Sequence, residues 1–352
     1  MKIKVLFALI ALLLNTSFAN GYWVKYGWEI FNTGGGSPSI ALGNALGAYH
    51  GEYSGAYLVN PAHQVQAKSL WTLSHQSRFA GMINREMIAF PFQIQNRNIQ
   101  SILFYEGIGQ IPDTRDMLLD WGLDGQFGTN DLGEGNGVLD EGERLARDNL
   151  AYFGQYQFGA YFSTNVKLFQ EDAGIGFKLL FHQLGEHSGL GIGFNLGILK
   201  KIGKGNLGLA IKDFPSSGII WDNGTIEGTI PTVSLGYARP FQMTQFPVKI
   251  NISLGSHFEF YDRALSSIFG IGNQGLSFDA GAEVIFRDKI KFQFGQSKDG
   301  FISSGLGLDF NRLSIHYAFL LTQPATQLGN NHYLSISFHP DWISEKIMSK
   351  DK

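Results

Sequence analysis

The residues of this chain that could do chemistry are concentrated in one stretch, DWGLDGQFGTNDLGEGNGVLDEGE, residues 120–143. Calcium takes six to eight oxygen ligands, and an EF-hand loop offers them from positions 1, 3, 5, 7, 9 and 12, with glycine at 6. Setting Glu143 at position 12 puts Asp140 at 9, the Val138 carbonyl at 7, Gly137 at 6, Asn136 at 5 and Glu134 at 3. Position 1 is then Leu132, whose side chain cannot ligate. Asp131 would have to substitute through a bulge, with Asp120 or Asp124 adding an oxygen. The loop is thus an EF-hand-like half-match. Residues 113–148 hold ten acids and three arginines, a net −7 in a chain of net −3, which leaves +4 for the rest. Two readings follow: a structural Ca2+ that stiffens a long surface loop, or a solvated acidic loop that binds nothing.

Other site chemistry is thin. GKGNLG, Gly203 to Gly208, formally matches a dinucleotide fingerprint. That motif needs a strand before it and a helix after it, and here strand-like segments flank it on both sides. There is no G-x-S-x-G, H-E-x-x-H or P-loop, and the nine histidines show no metal-ligand spacing. A lipase-like barrel with Ser and His on its rim has no local motif behind it. The acids of 120–143 lack a glycosidase's aromatic cleft beyond Trp121 and Phe127. With no cysteine, disulfides and thiol-metal sites are excluded. A net charge of −3 offers no basic field for nucleic acid. These features describe a protein that is not an enzyme and has no nucleic-acid partner.

The elements that carry the loop are legible from period. The chain is 44% hydrophobic and 16% charged, with 45 glycines, against about 25% charged in a typical soluble domain. LGIGFNLGIL sets Leu190, Ile192, Phe194, Leu196 and Ile198 on one face, and Gly191, Gly193, Asn195 and Gly197 on the other. VKINISLG, IKFQF, LSIHYAF and LSISF split the same way, which marks β-strands with one apolar and one polar face. About fourteen such segments begin near residues 68, 84, 97, 151, 173, 188, 206, 231, 248, 275, 288, 301, 312 and 331. Loops after even strands are short, whereas 108–148, 214–230, 259–273 and 321–330, after odd strands, are long. The fold class is all-β: a closed antiparallel transmembrane barrel with a long extracellular loop and periplasmic termini. A soluble sandwich or propeller fits less well, because the segments exceed the usual soluble strand of about 5–6 residues and their second face is Gly, Ser, Asn, Gln and Lys.

The chain divides into residues 1–19, 20–66, 67–340 and 341–352. Lys2, Lys4 and the apolar run Val5 to Leu14, followed by Ser17-Phe18-Ala19, predict a signal peptide cleaved after Ala19. Residues 20–66 are rich in small residues and predict either a plug in the lumen or a lid-like lead-in. Residues 67–340 form the barrel, with 108–148 as an acidic insertion, and 341–352 form a polar tail. Trp71, Tyr105, Tyr152, Phe153, Tyr156, Tyr161, Tyr237, Phe258, Tyr261 and Tyr317 lie at or near strand ends and predict interfacial girdles.

These segments resemble the PorV/PorQ family of FadL-like outer-membrane proteins. The resemblance rests on ALGNALGAY…SGAYLVNPA (Ala41 to Ala62) and on Gly176 to Leu199. It rests further on Trp221, Gly224, Glu227 and Pro231 within Leu207 to Ala238, and on the closing hairpin His316 to Phe338. Glu52 followed by Tyr53 departs from the family's acidic pair. The resemblance implies a bacterial outer-membrane barrel in contact with outer-membrane lipids, a channel for hydrophobic or amphipathic solutes. The alternative it implies is a non-conducting accessory of type IX secretion that docks a secreted protein.

Overall fold

A strand that alternates apolar and polar side chains needs a different neighbour on each face, and fourteen such strands here close on themselves. The structure, a computed structural model, describes residues 28–32, 35–66, 70–141, 143–168, 171–259, 269–271, 274–321 and 331–341. The signal-peptide expectation for 1–19 and most of the polar tail therefore lie outside the described residues, as does Tyr261.

The first seven strands are β1 Trp71–Arg78, β2 Ile83–Ile94, β3 Arg97–Asp113, β4 Ala151–Leu168, β5 Glu171–Leu184, β6 His187–Ile202 and β7 Gly205–Lys212. The other seven are β8 Thr232–Gln242, β9 Val248–Glu259, β10 Gln274–Phe286, β11 Ile290–Gln296, β12 Ile302–Phe310, β13 Leu313–Leu320 and β14 Asn331–Phe338. Each begins within three residues of the position its alternation marks. Each pairs antiparallel with the next, and β1 pairs with β14 from Trp71↔Phe338 to Ser77↔His332. No edge is left.

An unpaired backbone group in a bilayer costs several kcal/mol, which is why spanning sheets must close. The side chains agree with that requirement. On β6, Leu190, Ile192 and Phe194 face outward at 67%, 56% and 40% exposure, while Asn195 faces inward at 3%. Closure and this apolar outer belt place the protein in a bacterial outer membrane.

The two ends differ as the loop lengths require. Even-numbered strands hand over through short turns at 95–96, 203–204, 243–247, 287–289 and 311–312. Gln95 and Asn96 both have positive φ, 45° and 64°, the geometry of a two-residue hairpin turn that follows strand twist. At the other end, residues 114–150 form the acidic loop, stiffened by a two-residue ribbon pairing Leu118 with Leu145. Residues 213–231 fold back as a hairpin whose first strand, Gly218–Trp221, pairs with β6 beyond the end of β7.

The lumen is filled. Three short helices, α1 Glu29–Asn32, α2 Ser37–Ala41 and α3 Ser54–Val59, lie inside with nearly every residue buried. Helices this short are not stable alone, so the wall holds them. Of the two expectations for this segment, the plug is the one the burial describes. The inward glycines make room for it: a Cβ on Gly208 would stand 2.1 Å from the Gly47 carbonyl oxygen, and one on Gly174 would stand 1.9 Å from that of Pro61. Tyr161 corrects the girdle assignment. It lies midway along β4, faces inward at 0% exposure and donates to the Tyr57 carbonyl at 2.8 Å. Trp71, Tyr237 and Tyr317 keep the outward phase.

Candidate functional site

Side chains on the inward faces tie the plug down at three places. Near its start, the Ser37 amide donates to Ser335 Oγ on β14 at 2.8 Å, and Ser37 Oγ donates to the His316 carbonyl on β13 at 2.9 Å. Near its end stands Asn60, fully buried, before Pro61 and Ala62. Its Nδ2 donates to the Gly47 carbonyl at 2.9 Å and the Ile198 carbonyl at 3.3 Å, while its Oδ1 accepts from the Ala62 amide at 3.0 Å. Asn165 of β4 then accepts from the Val65 amide at 2.9 Å and donates to the Ala62 and His63 carbonyls. The small polar residues of the inward phase are therefore plug contacts, not merely a wet lining.

The third tie is a buried carboxylate. Glu283 on β10 is 0% exposed and accepts from the hydroxyls of Tyr49 and Tyr53 of the plug. Asn251 Nδ2 on β9 and Gln293 Nε2 on β11 donate to it from the wall, at 2.9 and 2.8 Å. A buried charge needs its lone pairs satisfied, and here four neutral donors do so. Tyr53, the residue after Glu52, thus serves as a donor to the wall.

Cavities lie on both sides of the plug. The one toward the long loops has about 80 Å³ and is bounded by Trp28, Phe31, Leu58 and Val59 of the plug. Its wall side carries Lys212, Ser234, His257, Asp279 and Lys298. The one toward the short turns has about 190 Å³, with Glu52, Tyr53, Lys291, Asp309 and His316. Each is apolar and polar in part. The smaller holds only a few waters.

Three wall residues in the upper cavity have the connectivity of a hydrolase relay. Ser234 Oγ lies 2.8 Å from His257 Nδ1, and His257 Nε2 lies 2.6 Å from Asp279 Oδ2. Ser234 and His257 are direct cross-strand partners. The three buried groups partner one another, although Asp279 Oδ1 is left without a hydrogen bond. Beside it, Lys178 pairs with Asp213 and stands over the Trp28 and Phe31 rings at 4.9 and 5.6 Å.

The residues singled out in the acidic loop accept hydrogen bonds from loop amides and side chains. Asp120 accepts from the Gly135 and Gly137 amides at 2.8 and 2.7 Å, and these bonds, that to Gly137 first, hold its carboxyl below the usual range. Asp124 accepts from the Gln126 amide and Asp131 from the Asp124 amide, each at 2.8 Å. Glu134 accepts from Gly128 and Asn130, and Asn136 accepts from Val138, which is itself exposed. Asp140 accepts from Asn136 Nδ2, and Glu143 accepts from the Gly122 and Asp140 amides. Among the described residues no group of three acids or histidines could hold a metal ion. In this arrangement the acids serve as caps for loop amides.

No protein-family model matches the chain, and no curated protein matches it. Solved structures do. Two crystal structures of the Pseudomonas putida toluene transporter TodX superpose with TM-scores of 0.50 and 0.52 at 11% identity, covering 87% of this chain and 98% of TodX. The CymD monoaromatic hydrocarbon channel is more distant, at TM-score 0.37 and 10% identity over 86% of this chain and 96% of that one. At such identities the likeness speaks for fold alone. That fold is a closed outer-membrane-type β-barrel.

Proposed function

We propose that this protein is a FadL-like channel for hydrophobic or amphipathic solutes, gated by residues 35–66, and that it is not an enzyme. The observation that carries the reading is the plug itself. It crosses the lumen between two cavities and meets the wall in two ways: an apolar cluster of Trp28, Phe31 and Leu58 with Met87, Ile102 and Leu180, and, elsewhere, glycines and a small number of hydrogen bonds. TodX, of the same fold, is a toluene transporter, which fits a hydrophobic solute. The test is uptake of toluene and of a fluorescent fatty acid by liposomes carrying the purified barrel. Transport above protein-free liposomes is expected; a barrel that passes neither would sink the proposal.

A second reading follows from the plug being held across the lumen by Ser37, Asn60 and Glu283. In it the protein is a PorV/PorQ-type accessory that docks a secreted protein on loop 114–150. Pull-down of a secreted protein that is lost when this loop is shortened would favour it over transport. Export through cleavage after Ala19 belongs to either reading, and N-terminal sequencing of the outer-membrane form tests it. Calcium in loop 120–143 is a separate proposal supported by composition alone. An ion could use the lone pairs that Asp120, Asp131 and Glu134 do not give to loop amides. Equal proteolysis within 108–148 with calcium and with chelator would dispose of it.

A further inference from the structure

The short-turn end of the barrel is electrically lopsided. The turns β6–β7, β8–β9 and β10–β11 stand side by side: Ala238 pairs with Asn206, Val248 pairs with Phe286, and the Arg287 amide donates to the Pro247 carbonyl at 2.8 Å. Between them they carry Lys200, Lys201, Lys204, Arg239, Lys249, Arg287 and Lys289, against the single acid Asp288. The β2–β3 turn has Arg97 alone, and the β4–β5 region sets Lys167 against Glu171 and Asp172. Two of the seven cations are paired, Lys200 with Glu171 at 2.6 Å and Lys249 with Asp288 at 2.7 Å. The other five, Lys201, Lys204, Arg239, Arg287 and Lys289, are exposed and have no carboxylate partner among the described residues.

The same arc presents apolar surface beside its charge. Arg239 lies over the Phe241 ring at 4.8 Å and Arg287 over the Phe286 ring at 5.1 Å. Both rings are exposed on the outer face, with Met243 and Phe246 alongside. A ring at the acyl boundary with a guanidinium fork above it presents its N–H groups at the height of a lipid phosphate. Clustered cations at a membrane surface attract anionic headgroups roughly additively.

We infer that the arc formed by the β6–β7, β8–β9 and β10–β11 turns is a binding site for anionic phospholipid headgroups in the leaflet facing the short turns. Arg239 and Arg287 clamp the phosphate, Phe241 and Phe286 seat the upper acyl chain, and Lys201, Lys204 and Lys289 supply the field. The side-by-side turns give it a fixed position on the circumference, so lipid is held at one place and not in an even annulus.

The test is lipid retention by the detergent-purified full chain, read by native mass spectrometry against equal phosphatidylglycerol and phosphatidylethanolamine. Phosphatidylglycerol should be retained at least tenfold better. The quadruple variant K204Q/R239Q/R287Q/K289Q, checked for heat-modifiable barrel migration, should lose that preference. A second variant, R97Q/K167Q, should keep it. Inorganic phosphate at the lipid's concentration should not compete, because it lacks the chain that Phe241 and Phe286 seat. Equal retention of the two lipids by the parent protein overturns the inference. So does a quadruple variant with unchanged preference, displacement by inorganic phosphate, or tighter capture of a poly-glutamate peptide than of the lipid.

Discussion

Replacing Tyr49 and Tyr53 together by phenylalanine removes both hydroxyls that the plug offers Glu283, while the two rings, stacked at 5.2 Å between centroids, stay in place. The carboxylate keeps Asn251 and Gln293, so the wall is disturbed little. A hydrogen bond to a charged group is worth about 1.5–3 kcal/mol. Losing two therefore weakens docking of the plug by about 3–6 kcal/mol, since the glutamate remains buried and half satisfied. At about 1.4 kcal/mol per factor of ten, the ratio of docked to undocked plug falls by roughly 10²–10⁴. Limited proteolysis should then cut within 35–66, and planar-bilayer recordings should show openings that the parent lacks, with barrel migration on gels unchanged. Each single variant should fall between. A folded double variant whose plug is as protected and whose current is as small as the parent's would refute the assignment of Glu283 as the latch.

Four further outcomes are expected. Gly208→Leu places a side chain where a Cβ alone would stand 2.1 Å from the Gly47 carbonyl oxygen; the barrel should fold with residues 35–66 open to protease, and a protected plug would contradict the close fit. Leu254→Arg, midway along β9 on the lipid face and 53% exposed there, should destabilise the barrel by about 2–4 kcal/mol in urea unfolding from bilayers. Asp113 at the foot of the acidic loop is held down to about 2, chiefly by hydrogen bonds from the Arg115 side chain, and Asp120 is lowered as well. Because both fold with a pKa below the free value of about 3.9, their contribution is present above that value and lost as pH falls toward about 2. Hydrogen exchange of the Gly135 and Gly137 amides, corrected for intrinsic rate, should hold steady from pH 7 to 5 and speed up below about 4; no change would refute the capping role. A fluorophosphonate probe should leave Ser234 unlabelled, and labelling abolished by Ser234→Ala would show a working relay.

The barrel was legible because its signal repeats. LGIGFNLGIL and VKINISLG fix both the strand and the face that meets lipid, and the short and long connections fix which end is which. The site was legible only in part. The family-like ALGNALGAY and VNPA segments mark where the plug is, and Gly47 and Asn60 within them make its close contacts. Glu283 in GAEVIF reads locally as one acid in a polar phase, and its partners Tyr53 and Tyr49 lie 230 and 234 residues away. No period or spacing links them, because the pairing depends on which part of the wall the plug reaches. The acidic loop is legible in composition but not in the use of its carboxylates. Its composition suggests metal ligands, and Asp120, Glu134 and Glu143 each accept from two backbone N–H groups, a use of carboxylates that no spacing in the sequence announces.

The manner of plug contact bears on whether this lumen can open. A packed interface of interlocked side chains is hard to part, since each buried apolar residue loses about 1.5–3 kcal/mol on exposure. Here wall glycines at 174, 208 and 236 meet the plug backbone at 61–62 and 47–48, so much of the contact has no side chain on the wall side to disengage. Elsewhere two things resist movement: polar ties at Ser37, Asn60, Asn165 and Glu283, and the apolar cluster in which Trp28, Phe31 and Leu58 pack with Met87, Ile102 and Leu180. Hydrogen bonds exchange for water at a net of about 1 kcal/mol each, and they can be replaced singly as a solute or water enters. The stretches around residues 47–48 and 60–62, which meet glycine and polar wall, are therefore the parts of the plug suited to move, while the apolar cluster around Trp28, Phe31 and Leu58 anchors the rest.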